Sequence, residues 1–171
     1  MPDPFHLIRP VPDFPKAGIL FRDITPMLED ARGFAVLIEG FVARYKAAKI
    51  DKVVGIESRG FILGAPLAIA LGVGFVILRK PGKLPRPTRK KAYALEYGEG
   101  ELHMHEDALK KGERVVVVDD VIATGGSLGA AVHLVRESGA ELVELAVAIE
   151  LVALQGRAAL APTPLFSLVS Y

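Results

Sequence analysis

The chain contains no cysteine. Disulfide frameworks, thiolate metal sites and cysteine nucleophiles are thereby excluded. It also lacks an excess of one charge: 21 Lys and Arg against 20 Asp and Glu leave a formal +1. That balance speaks against a chain that coats a polyanion, so no nucleic-acid partner is expected. The GxSxG elbow, the HExxH zinc helix and the GxxxxGK[ST] phosphate loop are absent; Pro81–Gly82–Lys83 has no upstream glycine for the last. Met1–Pro2–Asp3–Pro4 has neither the basic nor the apolar region of a secretory signal, and a cytoplasmic location is expected. One uncharged run, Phe61 to Leu78, approaches the length of a membrane span, but Gly64, Pro66, Gly72 and Gly74 interrupt it. It reads better as a buried helix to Leu71, a glycine break and a strand from Phe75, with no membrane association.

The 171 residues, 51% of them hydrophobic, suit one domain over 1–171 with a core that needs no staples. Residues 1–28 read as irregular, punctuated by Pro2, Pro4, Pro10, Pro12, Pro15 and Pro26. Ala31 to Lys49 has the apolar spacing of an amphipathic helix. A short strand over Lys52–Ile56 follows, and Pro81 to Tyr93 reads as a proline-rich basic loop. Ala94 to His105 reads as a hairpin around Gly98–Glu99–Gly100. The unbroken β-branched run Val115–Val118 implies a strand buried on both faces, as in a parallel sheet. A helix over Ser127–Ser138, a strand over Glu141–Ile149, a helix over Val152–Leu160 and a strand over Leu165–Val169 complete the pattern. This alternation predicts an α/β fold, a central mostly parallel sheet flanked by helices. Ligands in such sheets bind beyond the carboxyl ends of the strands.

One strand end concentrates the chemistry. Val115–Val118 runs into Asp119 and Asp120, then Val121–Ile122–Ala123, then Thr124–Gly125–Gly126–Ser127 and a helix. Two glycines let successive N–H groups curl inward, and a helix N-terminus adds donors and partial positive charge. Ala123, Thr124, Gly125, Gly126 and Ser127 thus form a nest for a phosphate. The two acids, expected at a solvent-facing strand end, suit the hydroxyls of a diol. A phosphate nest beside diol acceptors describes a ribose 5-phosphate site. Taken singly, the acids could merely leave a strand, and Ser127 could be an N-cap.

VVVVDDVIATGGS closely resembles the phosphoribosyl pyrophosphate motif of type I phosphoribosyltransferases. FPKAGILFRDITPML, GIESRGFILG, LRKPGKLPRPT and ALEYG are similar, in order, to segments of the adenine-specific members of that family. The resemblance implies a small N-terminal hood over 1–30 and a flexible lid loop and hairpin over 80–105. It implies Mg²⁺ as cofactor, held by substrate and by Asp119 and Asp120 through water rather than by a direct protein ligand set. It also implies a homodimer. Adenine and phosphoribosyl pyrophosphate would be converted to AMP and pyrophosphate.

The other sites follow from the same resemblance. By physics alone, Ser58 is an N-cap candidate and Arg59 a solvated charge or an anion ligand. The resemblance assigns Glu57, Ser58, Arg59, Arg79, Lys80 and Lys83 to pyrophosphate, with a cis peptide between Glu57 and Ser58. Arg59 joins Asp119, Asp120 and Glu96 as the catalytic set, Glu96 handling a proton near the base. Leu20, Phe21, Arg22 and Leu151 would hold adenine; alone, Phe21 is most simply a core residue. Arg86, Arg89, Lys90 and Lys91 carry no assigned role. His103 and His105 share a strand face near Glu101 and Glu106, a pairing usually incidental on an exposed hairpin. Two rivals stay open: transfer to another base such as hypoxanthine, guanine, xanthine or orotate, and a phosphoribosyl-pyrophosphate-sensing transcription regulator.

Overall fold

The computed structural model describes residues 4–94 and 99–171. They fall into two compact units, up to Gly40 and from Phe41 onward.

The first unit is more regular than its prolines imply. A 3₁₀ turn over Pro4–Leu7 leads to strand β1, Arg9–Pro12, which pairs antiparallel with β2, Leu20–Asp23. The expectation of an irregular segment is therefore corrected. Proline is tolerated in an edge strand because such a strand has a side that needs no N–H. The Asp23 carboxylate accepts from the Thr25 N–H at 2.9 Å and opens α1, Thr25–Glu29. Asp30 accepts from the Gly33 N–H at 2.6 Å at the start of α2, Ala31–Tyr45, which ends before the expected Lys49.

The second unit is built on a five-stranded sheet, all parallel, in the order β4-β3-β7-β8-β9. These strands are β3 (Lys52–Ile56), β4 (Gly74–Leu78), β7 (Arg114–Ile122), β8 (Glu141–Glu150) and β9 (Leu165–Ser170). The expected α/β class is observed. Val115 to Val118 are fully buried because both sheet faces are covered. Helix α3, Arg59–Leu71, packs on β3 and β7 from one side. Helix α4, Gly126–Glu137, and the hairpin of β5, Thr88–Ala94, with β6, Glu99–His105, cover the other. Val115 and Val117 face Leu128, Leu134, Leu102 and Met104 in that second layer. Gly72, with φ 69°, ends α3 where a glycine break was expected. Among the described residues no helix is long and apolar enough to cross a membrane.

Two sequence readings are corrected here. Thr88–Ala94 is a strand, not part of a loop; its inner positions carry Arg89 and Lys91, which hide the usual apolar alternation. Arg89 instead reaches Glu137 on α4 at 3.3 Å. The expected helix over 152–160 is a 3₁₀ turn, Val152–Leu154, and a short helix α5, Gly156–Ala159. Gln155, at φ 60°, separates them.

The chain leaves β3 outward to β4, and leaves β7 in the opposite direction to β8. The loops after β3 and β7 therefore diverge, and a crevice opens between them.

Candidate active site

A cleft of about 400 Å³ occupies that crevice. Its walls bring together Glu57, Ser58 and Arg59 after β3, Lys80 after β4, and Asp119 through Ser127 at the end of β7. Tyr93 and Ala94 of β5 complete it.

Asp119 and Asp120 lie inside β7, with Asp119 opposite Val147 of β8. They are 8% and 4% exposed, which corrects their expected place at a solvent-facing strand end. The strand simply runs further than its β-branched core. Burial pushes the Asp119 carboxyl well above the usual carboxylate range, and the charge of Asp120 pushes it further. The Asp120 N–H donates to Asp119 Oδ1 at 2.9 Å, and Arg59 Nε donates to Asp120 Oδ2. Arg59 can reach because α3 starts close against β7: a Cβ at Gly60 would stand 2.6 Å from the Val118 carbonyl oxygen.

The phosphate-nest residues form the turn into α4. Gly125, at φ 90°, is the helix N-cap, so Ser127 is not. That left-handed conformation is open to glycine at little steric cost. The first N–H groups of α4 have no intrahelical acceptor, and the residues that carry them, Gly126, Ser127 and Leu128, line the cleft.

The Glu57–Ser58 peptide is cis, as the resemblance implied. Ser58 sits at the N-cap of α3 without a side-chain capping bond. Glu57 gathers cations. Its carboxylate accepts from the Lys80 N–H at 2.9 Å, Lys83 Nζ at 2.8 Å and Arg79 Nε at 3.3 Å. Burial raises its pKa, but these bonds outweigh burial and hold it at about 2. Lys80 lines the cleft, whereas Arg79 and Lys83 turn their side chains to Glu57.

Leu20, Phe21 and Arg22 form β2 in the first unit. Opposite Leu20 and Arg22 stand Pro12 and Pro10, which have no N–H to offer across the ladder. Leu151 directly follows β8, and its N–H donates to the Ile122 carbonyl at 3.0 Å. Glu96 lies outside the described residues. His103 pairs with Glu101 at 2.6 Å, and among the described residues no group of three or more His, Asp or Glu is placed to hold a metal ion.

Sequence reasoning missed Tyr93. Its ring occupies the space beside Gly100 and Gly126, where a Cβ would meet it at 2.5 Å and 3.2 Å. Burial and the nearby Asp119 charge raise its phenol pKa. The signal was Gly100 opposite Tyr93 across the hairpin, with a second glycine, Gly126, at the start of α4 beside the same ring, legible only once Thr88–Ala94 is read as a strand.

A glycine turn at a helix N-terminus, two buried acids and a cation-bearing loop meet around one switch point. The phosphoribosyl transferase domain family matches residues 26–160, and the chain belongs to that family. Within it, the chain falls among the adenine phosphoribosyltransferases. It is 56% identical over 164 residues to the adenine phosphoribosyltransferase of Anaeromyxobacter dehalogenans, covering 96% of this chain and 95% of that one. The crystal structure of the Thermoanaerobacter pseudethanolicus enzyme superposes with a TM-score of 0.94 at 46% identity, covering 97% and 96% of the two chains. The Saccharomyces cerevisiae enzyme, solved with adenine and an imino-altritol bisphosphate, gives 0.92 at 43% identity over 96% and 95%.

Proposed function

We propose that this chain transfers the 5-phosphoribosyl group of phosphoribosyl pyrophosphate to adenine, giving AMP and pyrophosphate in purine salvage. The observation that carries this is the convergence, at one switch point, of the Gly125–Ser127 turn, the Asp119–Asp120 pair and the Arg59 loop. The adenine-specific relatives add the base.

In this reading Ala123 to Ser127 hold the 5-phosphate, whose binding energy positions the reacting carbon. Asp119 and Asp120 receive the ribose hydroxyls, and their charge favours positive charge at the anomeric carbon. Ser58, Arg59 and Lys80 meet the departing pyrophosphate; Glu57 orients Lys80, Arg79 and Lys83. The C–N bond forms from a ring nitrogen of adenine as the C–O bond to pyrophosphate breaks. Leu20, Phe21, Arg22 and Leu151 hold the base, and Glu96 takes part in its proton transfer. Residues 1–30 act as hood and 80–105 as lid, excluding water from a reactive ribosyl cation.

Mg²⁺ fits this donor set. Asp119 and Asp120 offer carboxyl oxygens side by side, and a cation there would offset the burial and the Asp120 charge that raise Asp119, but two acids alone cannot encase the ion. Asp119 and Asp120 would hold it through water, the rest of its shell coming from substrate oxygens, where it would neutralise the pyrophosphate charge.

The homodimer belongs to the same proposal. Ile62 and Ile69, 41% and 82% exposed, stand on one face of α3 with Ala65 and Pro66 between them. Such a face suits a second copy; sedimentation should show a dimer that Ile69→Asp dissociates. A cytoplasmic location, where phosphorylated sugars are made, is proposed with it.

The deciding experiment mixes purified protein with Mg²⁺, phosphoribosyl pyrophosphate and each purine base in turn. AMP from adenine is expected; its absence overturns the reading.

A further inference from the structure

Behind the phosphate nest lies a segment that the mechanism leaves unused. Residues 152–160, which follow the base-binding Leu151, run along the outer side of the turn from Ile122 to Gly126. The Leu151 N–H holds the Ile122 carbonyl at 3.0 Å. Gly156 is pressed against the same turn: a Cβ there would lie 2.3 Å from the Ala123 carbonyl oxygen and 2.7 Å from Ile122 Cγ1. From the other side, a Cβ on Gly125 would lie 3.2 Å from the Gly156 carbonyl oxygen and 3.2 Å from Leu160 Cγ. The two backbones touch because both residues are glycine.

This backing segment is anchored at its two ends, by the Val152 N–H on the Tyr171 carbonyl at 2.9 Å and by Leu160 against the core, and has little to hold it between them. Helix α5 is one turn long, too short to persist by its own hydrogen bonds. Val152 and Leu154 are 53% and 41% exposed and bury little apolar surface. What ties α5 itself to the sheet is Arg157. Its guanidinium meets the Glu150 carboxylate on two sides, Nε to Oε1 at 2.8 Å and Nη2 to Oε2, and Nη1 donates to the Leu165 carbonyl at 2.6 Å. Ser167 Oγ donates to Glu150 Oε2 at 2.9 Å. Glu150 is the last residue of β8 and is 7% exposed. One side chain therefore fastens α5 to the ends of β8 and β9.

We infer that the Glu150–Arg157 pair is a clamp that positions the phosphate-binding turn, acting through Gly156 on Ala123 and Gly125. Both are positioning residues; neither lines the cleft. The inference rests on the phosphoribosyl-transfer reading above. It makes a selective demand. Loosening the clamp should weaken the grip on the 5-phosphate while leaving the pyrophosphate subsite, built on other segments, and the adenine subsite, whose Leu151 is held to Ile122 ahead of the clamp, as they are.

Steady-state kinetics and calorimetry of Arg157→Ala, Arg157→Lys and Gly156→Ala test this. Arg157→Ala should raise KM for phosphoribosyl pyrophosphate about tenfold, since misplacement of a binding group by an ångström is enough for such losses. Its KM for adenine and its calorimetric Kd for pyrophosphate should stay within about twofold of the parent. Binding of ribose 5-phosphate should weaken in parallel with the first constant. Arg157→Lys, which keeps one ion pair but not the fork, should recover part of the loss. Gly156→Ala, which pushes on Ala123 directly, should reproduce the pattern with the ion pair intact. A lowered melting temperature with all three constants unchanged, or an equal loss for every ligand, would overturn the clamp. If Arg157→Ala does not fold, Glu150→Gln and Gly156→Ala decide by the same criterion. A parent protein that makes no AMP from adenine sinks the functional reading itself; an active parent with unaltered variants sinks only the clamp.

Discussion

Arg59 and Asp120 are joined by a hydrogen bond across 61 positions of sequence, and both line the cleft. Without the guanidinium, two buried carboxylates would face one another with no cation beside them. Arg59→Ala should therefore lower stability by about 1 kcal/mol, small because the arginine side chain is 42% exposed. In an Asp120→Asn background the same substitution should cost nothing measurable; urea unfolding of the four proteins checks the coupling. Asp119→Asn with Asp120→Asn should fold, since it removes like-charge repulsion, and should abolish turnover. A folded, fully active double variant would remove the acids from the mechanism.

Gly125→Val should lose AMP. The native φ of 90° is unfavourable to a β-branched residue, and its side chain would press on the Gly156 carbonyl and Leu160. Affinity should fall at least tenfold, roughly what one or two lost phosphate hydrogen bonds produce. Calorimetry with AMP is the measurement, and equal affinity in variant and parent would place the nest elsewhere.

Glu57 gives the fold an acid limit. Its folded pKa of about 2 lies below the ordinary 4.5, so its stabilisation is complete above about pH 4.5 and is lost as pH falls towards 2. Glu57→Gln should be less stable than the parent at neutral pH by about 2 kcal/mol, and the gap should close across that window. Urea midpoints measured from pH 7 to pH 2.5 test the sign. A gap that widens on acidification contradicts it. Half-exposed Lys83 makes part of the effect screenable, so added salt should shrink it.

Base choice should be carried by the backbone. Adenine presents an amino donor and an unprotonated ring nitrogen; hypoxanthine and guanine reverse the pattern. Pro10 and Pro12 cannot take up the carbonyls of Arg22 and Leu20 across the ladder, and a backbone reader cannot rotate to suit a second base. Adenine should exceed hypoxanthine and guanine by at least about 10³ in kcat/KM. Arg22→Ala should change that ratio little, whereas Arg22→Pro, which removes an N–H, should damage it. Comparable kcat/KM for adenine and hypoxanthine would refute the adenine assignment.

The parallel core was legible because Val115–Val118 has no polar residue to place at a surface. The phosphate turn was legible because its glycines and hydroxyls are contiguous. The inward side of β5 was not, since Arg89 and Lys91 occupy positions where periodicity looks for apolar residues, and Glu137, the partner of Arg89, lies on a distant helix. Burial of Asp119 and Asp120 was hidden for a similar reason. Their cover comes from α3 and from Arg59, which a local window cannot bring to them. Glu57 reads in sequence as a mild variation; only the fold shows Arg79, Lys80 and Lys83 converging on it.

The crevice between β3 and β7 also says when the protein becomes an enzyme. Its two walls follow strands that pair Lys52 with Val115 and Gly55 with Val118, after the intervening chain has gone out to β4 and through the hairpin. Neither wall has a partner until that long-range pairing is made, and pairings of this kind are slow to form during folding. Helix α3 and the β5–β6 hairpin, built from neighbours in sequence, can be in place earlier. Recovery of activity on dilution from urea should then lag recovery of helix signal, and catalysis itself serves as the reporter for closure of the sheet.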